Sequence, residues 1–200
     1  MWCEAPVLMV GTRAGEVERD LAGGDLECPA CGAEVRPWGW ARRRVLRVGG
    51  AHRWVRPRRA RCRSCLATHV LLPVVALVRR RDAVEVIGVA LAAKQRGVGH
   101  RRIAARVGVP TTTVRGWLRR FAANAEFLRA QFAGFAHRLD RDLGRIEPRG
   151  SPTADALEAI GVAAAAAARR FGPSPVWWFA SGASGGRLLS NTSSPFRALG

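Results

Sequence analysis

Four of the five cysteines stand in two Cys-x-x-Cys pairs, Cys28–Cys31 and Cys62–Cys65, with thirty residues between the inner two. A Cys-x-x-Cys turn directs two thiolates to one point, so two such turns supply the four soft ligands of a tetrahedral zinc site. Four thiolates leave no coordination position for water or substrate. The motif therefore predicts a structural Zn²⁺ held by Cys28, Cys31, Cys62 and Cys65. The alternatives are a redox dithiol or two coincidental pairs, for which this spacing is less typical.

Three other residues near the motif carry metal-binding side chains. His69 follows Cys65 by four positions and is an alternative ligand. We expect His69 and His52 to be surface or strand-end histidines instead. Cys3 has no partner at useful spacing.

The charge around the cysteines is one-sided. No Asp or Glu occurs from Val35 to Arg81, whereas fourteen arginines do. The whole chain carries a formal charge of +18. Many cationic side chains bind a long polyanion favourably, because each contact releases condensed counterions. The charge therefore favours nucleic acid or an anionic membrane surface over an acidic small molecule as the partner. The composition is rich in Ala, Gly and Val, as a GC-rich genome would encode, so the positions of the arginines are more informative than their number.

The N-terminus shows no secretory signal, since Met1-Trp2-Cys3-Glu4 has no basic segment and Pro6–Val10 is short. The longest apolar runs, Val70–Val78 and Val162–Ala168, are too short to span a bilayer. We expect a cytoplasmic, nucleoid-associated protein. In such a compartment, paired cysteines bind metal more often than they form disulfides.

The fold class predicted is α+β, with a small β zinc ribbon, an all-α helix-turn-helix module and C-terminal helices. The expected parts are residues 1–26, an N-terminal strand and linker; 27–73, the zinc ribbon; 79–139, the helix-turn-helix with an extension helix; 140–152, a linker; 153–171, a helix; and 172–200, an irregular tail.

Short β-like runs fill the ribbon segment: Val35–Trp40, Arg42–Val48 and Trp54–Arg61, with Gly39 and Gly49-Gly50 as turns. The tryptophans among them, Trp38, Trp40 and Trp54, are expected to fill a small ribbon core. RNA binding through these rings is a further hypothesis. Such a small module does not bury enough core to be stable alone, so zinc is expected to stabilise it.

A helical period begins after the ribbon. Asp82 is a suitable N-cap for a helix ending near Arg96, and Gly97 and Gly99 follow it. A short helix is predicted over 101–107 and another over 111–124. Ala104 lets the two helices approach, Gly108 takes the left-handed backbone of the turn, and Val114 packs the second helix inwards. This order is typical of a helix-turn-helix.

The pattern also assigns contacts to duplex DNA. The groove-side set is Thr111, Thr112, Thr113, Arg115 and Arg119, where Thr reads base edges or a thymine methyl and Arg115 is suited to guanine. The flanking arginines Arg101, Arg102, Arg106 and Arg120 are expected to meet phosphates. A plain helical hairpin with a solvated basic face is the alternative, because Gly116 weakens the second helix.

These motifs resemble a known class of protein. Cys28-Pro29-Ala30-Cys31-Gly32, Trp38-Gly39, Cys62-Arg63-Ser64-Cys65 and Thr68–Pro73 resemble the zinc-binding N-terminal region of bacterial insertion-sequence transposases and a related family of short uncharacterised bacterial proteins. The resemblance covers roughly residues 27–139. It implies that the two modules together bind DNA.

The chain departs from those transposases after the helical module. The resemblance implies a following catalytic domain with three dispersed carboxylates on two metal ions. The acids here after the helical module are Asp140, Asp142, Glu147, Asp155 and Glu158, all within nineteen residues, and none follows Glu158. We therefore predict no two-metal nuclease. We also predict no other enzyme, because Ser181, Ser184 and Ser190 have no suitably placed histidine and His137 is the last in the sequence.

Besides RNA binding through the tryptophans, the sequence favours two functions. The first is sequence-specific binding of double-stranded DNA by a regulator-like or transposase-derived protein, with no small-molecule substrate. The second is a scaffold that docks a transposase or other partner through the ribbon and the aromatic tail Val176–Phe179; that tail is equally suited to packing on the helices. The helix at 153–171 is the expected homodimer contact.

Overall fold

The structure, a computed structural model, describes residues 7–190. Small sheets and several helices confirm the α+β class within that range. The strands are β1 Val7–Val10, β2 Val35–Trp40, β3 Arg44–Val48, β4 Ala51–Val55, β5 Arg58–Cys62 and β6 Thr68–Pro73. The helices are α1 Ala14–Gly23, α2 Val84–Gln95, α3 His100–Val107, α4 Thr111–Ala123, α5 Ala125–Leu139, α6 Pro152–Phe171 and α7 Val176–Ala183.

One sheet contains four strands in the order β1-β6-β5-β2. β1 runs parallel to β6, while the other neighbours are antiparallel. The segment after β1, predicted as a linker, instead forms α1, which packs Val17 and Leu21 against the sheet. Gly24 ends α1 in the left-handed conformation, at φ 85°.

The second sheet is the hairpin β3–β4. Gly49 and Gly50 both have positive φ, 54° and 89°, which suits a tight two-residue hairpin turn. The run predicted over 54–61 is divided into β4 and β5 at Arg56-Pro57, because Pro57 has no N–H to donate to a ladder.

The β3–β4 hairpin packs against the helices and contributes to their buried core. Leu46 of β3 and Leu72 of β6 are buried in the same cluster as residues of α2 to α7, so the core is continuous across residue 73. Asp82 was predicted to be the N-cap of α2, and this prediction is wrong. Asp82 forms an ion pair with Arg47 of β3, at 2.8 Å from Nε to Oδ1, and the cap position is Ala83. This pair fixes the hairpin to the start of the helical part.

The segment predicted as an irregular tail contains α7, whose side chains are used for packing. A Cβ on Gly88 of α2 would lie 2.0 Å from the Trp177 ring, so only glycine admits the ring there. Trp178 Nε1 donates to the Glu85 carboxylate, and Ser181 Oγ donates to Ala76 O at 3.0 Å. Residues 191–200 of the predicted tail lie outside the described range, as does Cys3.

Among the helices of residues 7–190, none is both long and apolar enough to cross a lipid bilayer.

Candidate metal centre and basic helical surface

The four paired cysteines come together at one end of the larger sheet. Their Sγ atoms all lie within 4.8 Å of one another, with Cys28–Cys65 at 3.6 Å and Cys31–Cys62 at 3.5 Å. Cys28 and Cys62 are buried, while Cys31 and Cys65 are exposed. The cluster is compatible with a single metal ion bound by four sulfurs.

Two equivalent backbone turns place these sulfurs. In each turn, the N–H two residues after the first cysteine donates to its Sγ at 3.4 Å, from Ala30 to Cys28 and from Ser64 to Cys62. The residue four after the first cysteine is left-handed in both, Gly32 at φ 75° and Leu66 at φ 61°. The second turn therefore has the geometry of the first without its glycine.

The cluster has unequal proton affinities. Burial alone would raise the pKa of Cys62, but hydrogen bonds from the backbone of Cys65 and Ser64 and from neighbouring thiols lower it to about 6. For Cys65, a backbone hydrogen bond from Ala67 acts to lower the pKa, but burial and the surrounding thiols raise it to about 12. Four adjacent thiolates repel one another, so a cation is needed to hold all four deprotonated.

His69 lies near the start of β6 and, contrary to the prediction, is not at the surface. The residue is fully buried, and its Nε2 lies 3.3 Å from Cys28 Sγ. It is placed to hold the sulfur by a hydrogen bond, as outer-shell groups of metal sites do. His69 and Leu71 share the buried face of β6. His52, by contrast, is exposed.

In the helical part, the facing sides of α3 and α4 pack together. Ile103, Ala104 and Val107 of α3 and Val114, Trp117 and Phe121 of α4 are all buried. Gly108 ends α3 at φ 68°, and its N–H donates to Ala104 O. Val109-Pro110 then leads directly into α4. Trp117 is thus a core residue.

The predicted DNA-contacting residues lie on the opposite, outer side. Thr112, Arg115 and Arg119 are exposed, and Thr111 and Thr113 are half-buried at the start of α4. Among the flanking arginines, Arg101, Arg102 and Arg106 are exposed and Arg120 is half-buried. Burial and the charge of Arg120 lower the pKa of nearby Arg80, which donates to Leu189 O at 3.1 Å.

The charge on this surface is uncompensated. Within residues 7–190, none of the ion pairs involves Arg101, Arg102, Arg106, Arg115, Arg119 or Arg120. The sequence from Val86 to Ala125 has no acidic residue to neutralise them. A surface of this kind attracts anions.

The tryptophans of the sheet region do not form a core, contrary to the prediction. Trp38, Trp40 and Trp54 are 50%, 47% and 57% exposed. The buried residues beneath the larger sheet are instead small or aliphatic, with Val35, Ala60 and Leu71 at its centre. Strand periodicity does not tell which face of a thin sheet is covered.

Together these features define an α+β protein with a four-cysteine cluster and a basic helix pair. A family model described as a domain of unknown function, DUF6431, matches residues 28–117, which run from the first paired cysteine to Trp117 in α4. No curated protein and no solved structure matches the chain. The matched region contains both the cysteine cluster and α2 to α4.

Proposed function

We propose that the protein is a sequence-specific double-stranded DNA-binding protein without a catalytic domain, either regulator-like or derived from a transposase. In this proposal, α3 and α4 form a helix-turn-helix, with α4 as the recognition helix. The cysteine cluster binds a structural Zn²⁺ and forms a zinc ribbon. The protein acts at the nucleoid, alone or as a homodimer.

One observation carries the proposal. The large apolar side chains of α3 and α4 face the core, which leaves the Thr and Arg side chains of α4 outward in an acid-free, unpaired basic surface. A recognition helix contacts base edges in the major groove with its N-terminal residues. Thr111, Thr112 and Thr113 occupy that position, and Arg115 follows one turn later.

The two sets of residues have different roles. Arg115 has the fork of donors that fits guanine O6 and N7, and Thr112 is suited to a base edge or a thymine methyl. Arg101, Arg102 and Arg106 lie on α3, which would cross the phosphate backbone and fix the orientation of the protein. Base contacts then give specificity and phosphate contacts give affinity.

Zinc is the metal favoured by this donor set. Four thiolates in one cluster suit Zn²⁺, and all coordination positions are then occupied by the protein. When bound, the ion would supply folding free energy and no reaction chemistry. Cys28, Cys31, Cys62 and Cys65 would hold it, with His69 supporting Cys28.

Selection of bound sequences from a random duplex pool tests the function. We expect a recurring motif with the metal-loaded protein and loss of that motif after zinc is removed with a chelator. Recovery of no motif under either condition would contradict the proposal and favour the scaffold function. The structure gives that alternative less support, because Trp177, Trp178 and Phe179 pack against the core.

A further inference from the structure

Three indole rings on strands β2 and β4 are solvent-exposed, and each has a guanidinium over its face. Arg61 Cζ lies 4.7 Å from the Trp38 ring centre, and Arg43 Cζ lies 4.2 Å from that of Trp54. Arg58 and Arg56 lie 4.4 and 5.4 Å from the Trp40 ring. We call these seven residues the Trp–Arg surface: Trp38, Trp40, Trp54, Arg43, Arg56, Arg58 and Arg61.

The fold does not need these rings for its core. None of the three belongs to either buried cluster of the described residues. Exposed large aromatic side chains forgo the free energy of burial, and a group of them marks an interaction site. About half of each residue remains exposed although an arginine covers part of its ring, so aromatic surface is available to a ligand.

Two of the rings share a cleft. Trp40 and Trp54 line a cavity of about 190 Å³ together with Arg53, Arg56 and Arg58. This volume is below the roughly 300–1,000 Å³ of pockets for drug-sized ligands. It therefore suits one flat ring between or beside the indoles better than a whole organic ligand.

The charge of the surface selects an anionic partner. All four arginines of the Trp–Arg surface lie in the acid-free stretch from Val35 to Arg81. One acid does reach the cleft, since Glu18 of α1 lies 2.7 Å from Arg58 Nε. That pair holds Arg58 in place beneath Trp40 and leaves Arg43, Arg53 and Arg56 to meet an anion.

We propose that the Trp–Arg surface binds unpaired bases of single-stranded DNA. Base–aromatic stacking on a basic surface is how proteins hold single strands, and every base has a face that can stack. Bases in a duplex are already stacked on one another, so their faces are closed to the indoles. The arginines would contact phosphates and add cation–π interactions.

The hairpin that carries Trp54 has its turn beside the proposed recognition helix. The Gly49-Gly50 turn of the β3–β4 hairpin adjoins the turn between α3 and α4, where a Cβ on Gly108 would lie 3.8 Å from Gly50 Cα. A strand leaving a duplex bound by α4 would pass close to this hairpin. The choice of DNA over RNA rests on the proposed duplex-binding function. The stacking of bases on the three indoles is independent of that function.

The test compares a labelled 15-mer of thymidine with an abasic 15-mer of equal charge, by fluorescence anisotropy with the full-length protein. We expect the base-bearing strand to bind about tenfold more tightly or better. The triple variant W38A/W40A/W54A should lose that advantage and bind both strands alike, while the corresponding triple Phe variant should retain most of it. F171A is the matched control, because Phe171 is 72% exposed on α6.

The outcomes separate this proposal from the duplex-binding function. Equal binding of base-bearing and abasic strands by the wild-type protein would overturn it, as would an unchanged preference in the triple Ala variant. A preference of tenfold or more for the uridine 15-mer over the thymidine 15-mer would overturn the assignment to DNA. Stacking on the thymidine strand together with no selected duplex motif would support this surface and refute the helix-turn-helix function instead. Unchanged metal content and melting temperature verify that each variant is folded.

Discussion

Two equivalent turns bring the four cysteine sulfurs into one cluster. In the proposed site each sulfur is one of four metal ligands, so loss of a single buried thiol should release the metal. For C62S we expect metal affinity to fall by more than about 100-fold, since even outer-shell changes at metal sites cost 10- to 100-fold. Metal content per chain and a competition titration with a chromogenic chelator measure this.

C3S is the matched control, because Cys3 lies outside both pairs and should leave metal content unchanged. Full metal binding by C62S would refute a four-sulfur site.

The two left-handed turn residues give opposite predictions for glycine. The left-handed backbone of Leu66, at φ 61°, costs about 1–2 kcal/mol of folding free energy. L66G removes this strain but adds the conformational entropy of glycine, so the free energy of unfolding should rise by roughly 0.5 kcal/mol. G32A should instead lower it by about 1 kcal/mol. Urea unfolding of the metal-loaded protein measures both.

G161A serves as control for the general effect of replacing glycine. Gly161 is in α6 with nothing within 4 Å of an added Cβ, so this change should stabilise by about 0.5–1 kcal/mol. If G32A stabilised the protein as G161A does, the equivalence of the two cysteine turns would be wrong.

Single residues differed in how far the sequence determined them. The spacing of the cysteines was sufficient to predict their cluster, because a Cys-x-x-Cys turn is set by local backbone geometry. The burial of His69 and the exposure of Trp54 were not predictable in the same way. Both depend on which side of a thin sheet is covered by other elements, and strand alternation does not contain that information.

Among the elements, the β3–β4 hairpin departs most from the prediction, because it packs on the helices although its sequence was assigned to the ribbon. Leu46 is inserted into the helical core, and Arg47 holds Asp82 through Nε–Oδ1 at 2.8 Å and Nη2–Oδ2 at 2.9 Å. Arg47 N also donates to Arg81 O at 2.7 Å. The hairpin is thereby fastened beside the α3–α4 turn.

Removal of Asp82 should loosen that attachment. Asp82 is almost fully buried and Arg47 is one-third exposed, so D82A should cost roughly 1–3 kcal/mol, below the range of a fully buried pair. Urea unfolding gives the free energy. D140A, which breaks the exposed Arg169–Asp140 pair, should cost no more than about 1 kcal/mol.

Equal losses for the two variants would contradict a special role for the Arg47–Asp82 pair.

Helix positions followed from the sequence more closely than strand positions. α3, α4 and α6 begin and end within one residue of the predicted ranges, because Gly108, Pro110, Ser151 and Gly172 punctuate them. α1 and α7 were missed. Their apolar faces are short, and both are stabilised by contacts with distant segments, such as Trp177 against Gly88.

Across the whole molecule, the β3–β4 hairpin and the end of β6 share one buried core with the helices, while Cys28 and Cys62 lie in a second buried cluster with Val35, Ala60 and Leu71. The sequence suggested two units divided near residue 73, since the period of the pattern changes there. Long-range contacts through Leu46 and Leu72 close that gap. Strand β6 links the two clusters, because Leu71 is buried with the cysteines and the adjacent Leu72 is buried with the helices.

In the proposed function, α4 distinguishes DNA sequences through Arg115. The direct measurement is the ratio of dissociation constants for a scrambled duplex and a selected duplex, at one fixed salt concentration. Wild-type protein should give a ratio of about 1,000 or more, and R115A should reduce it by roughly 5- to 150-fold. R106A, the phosphate-contact control, should weaken binding to both duplexes alike and leave the ratio unchanged. A wild-type ratio near one, or an R115A ratio equal to that of the wild type, would contradict the account.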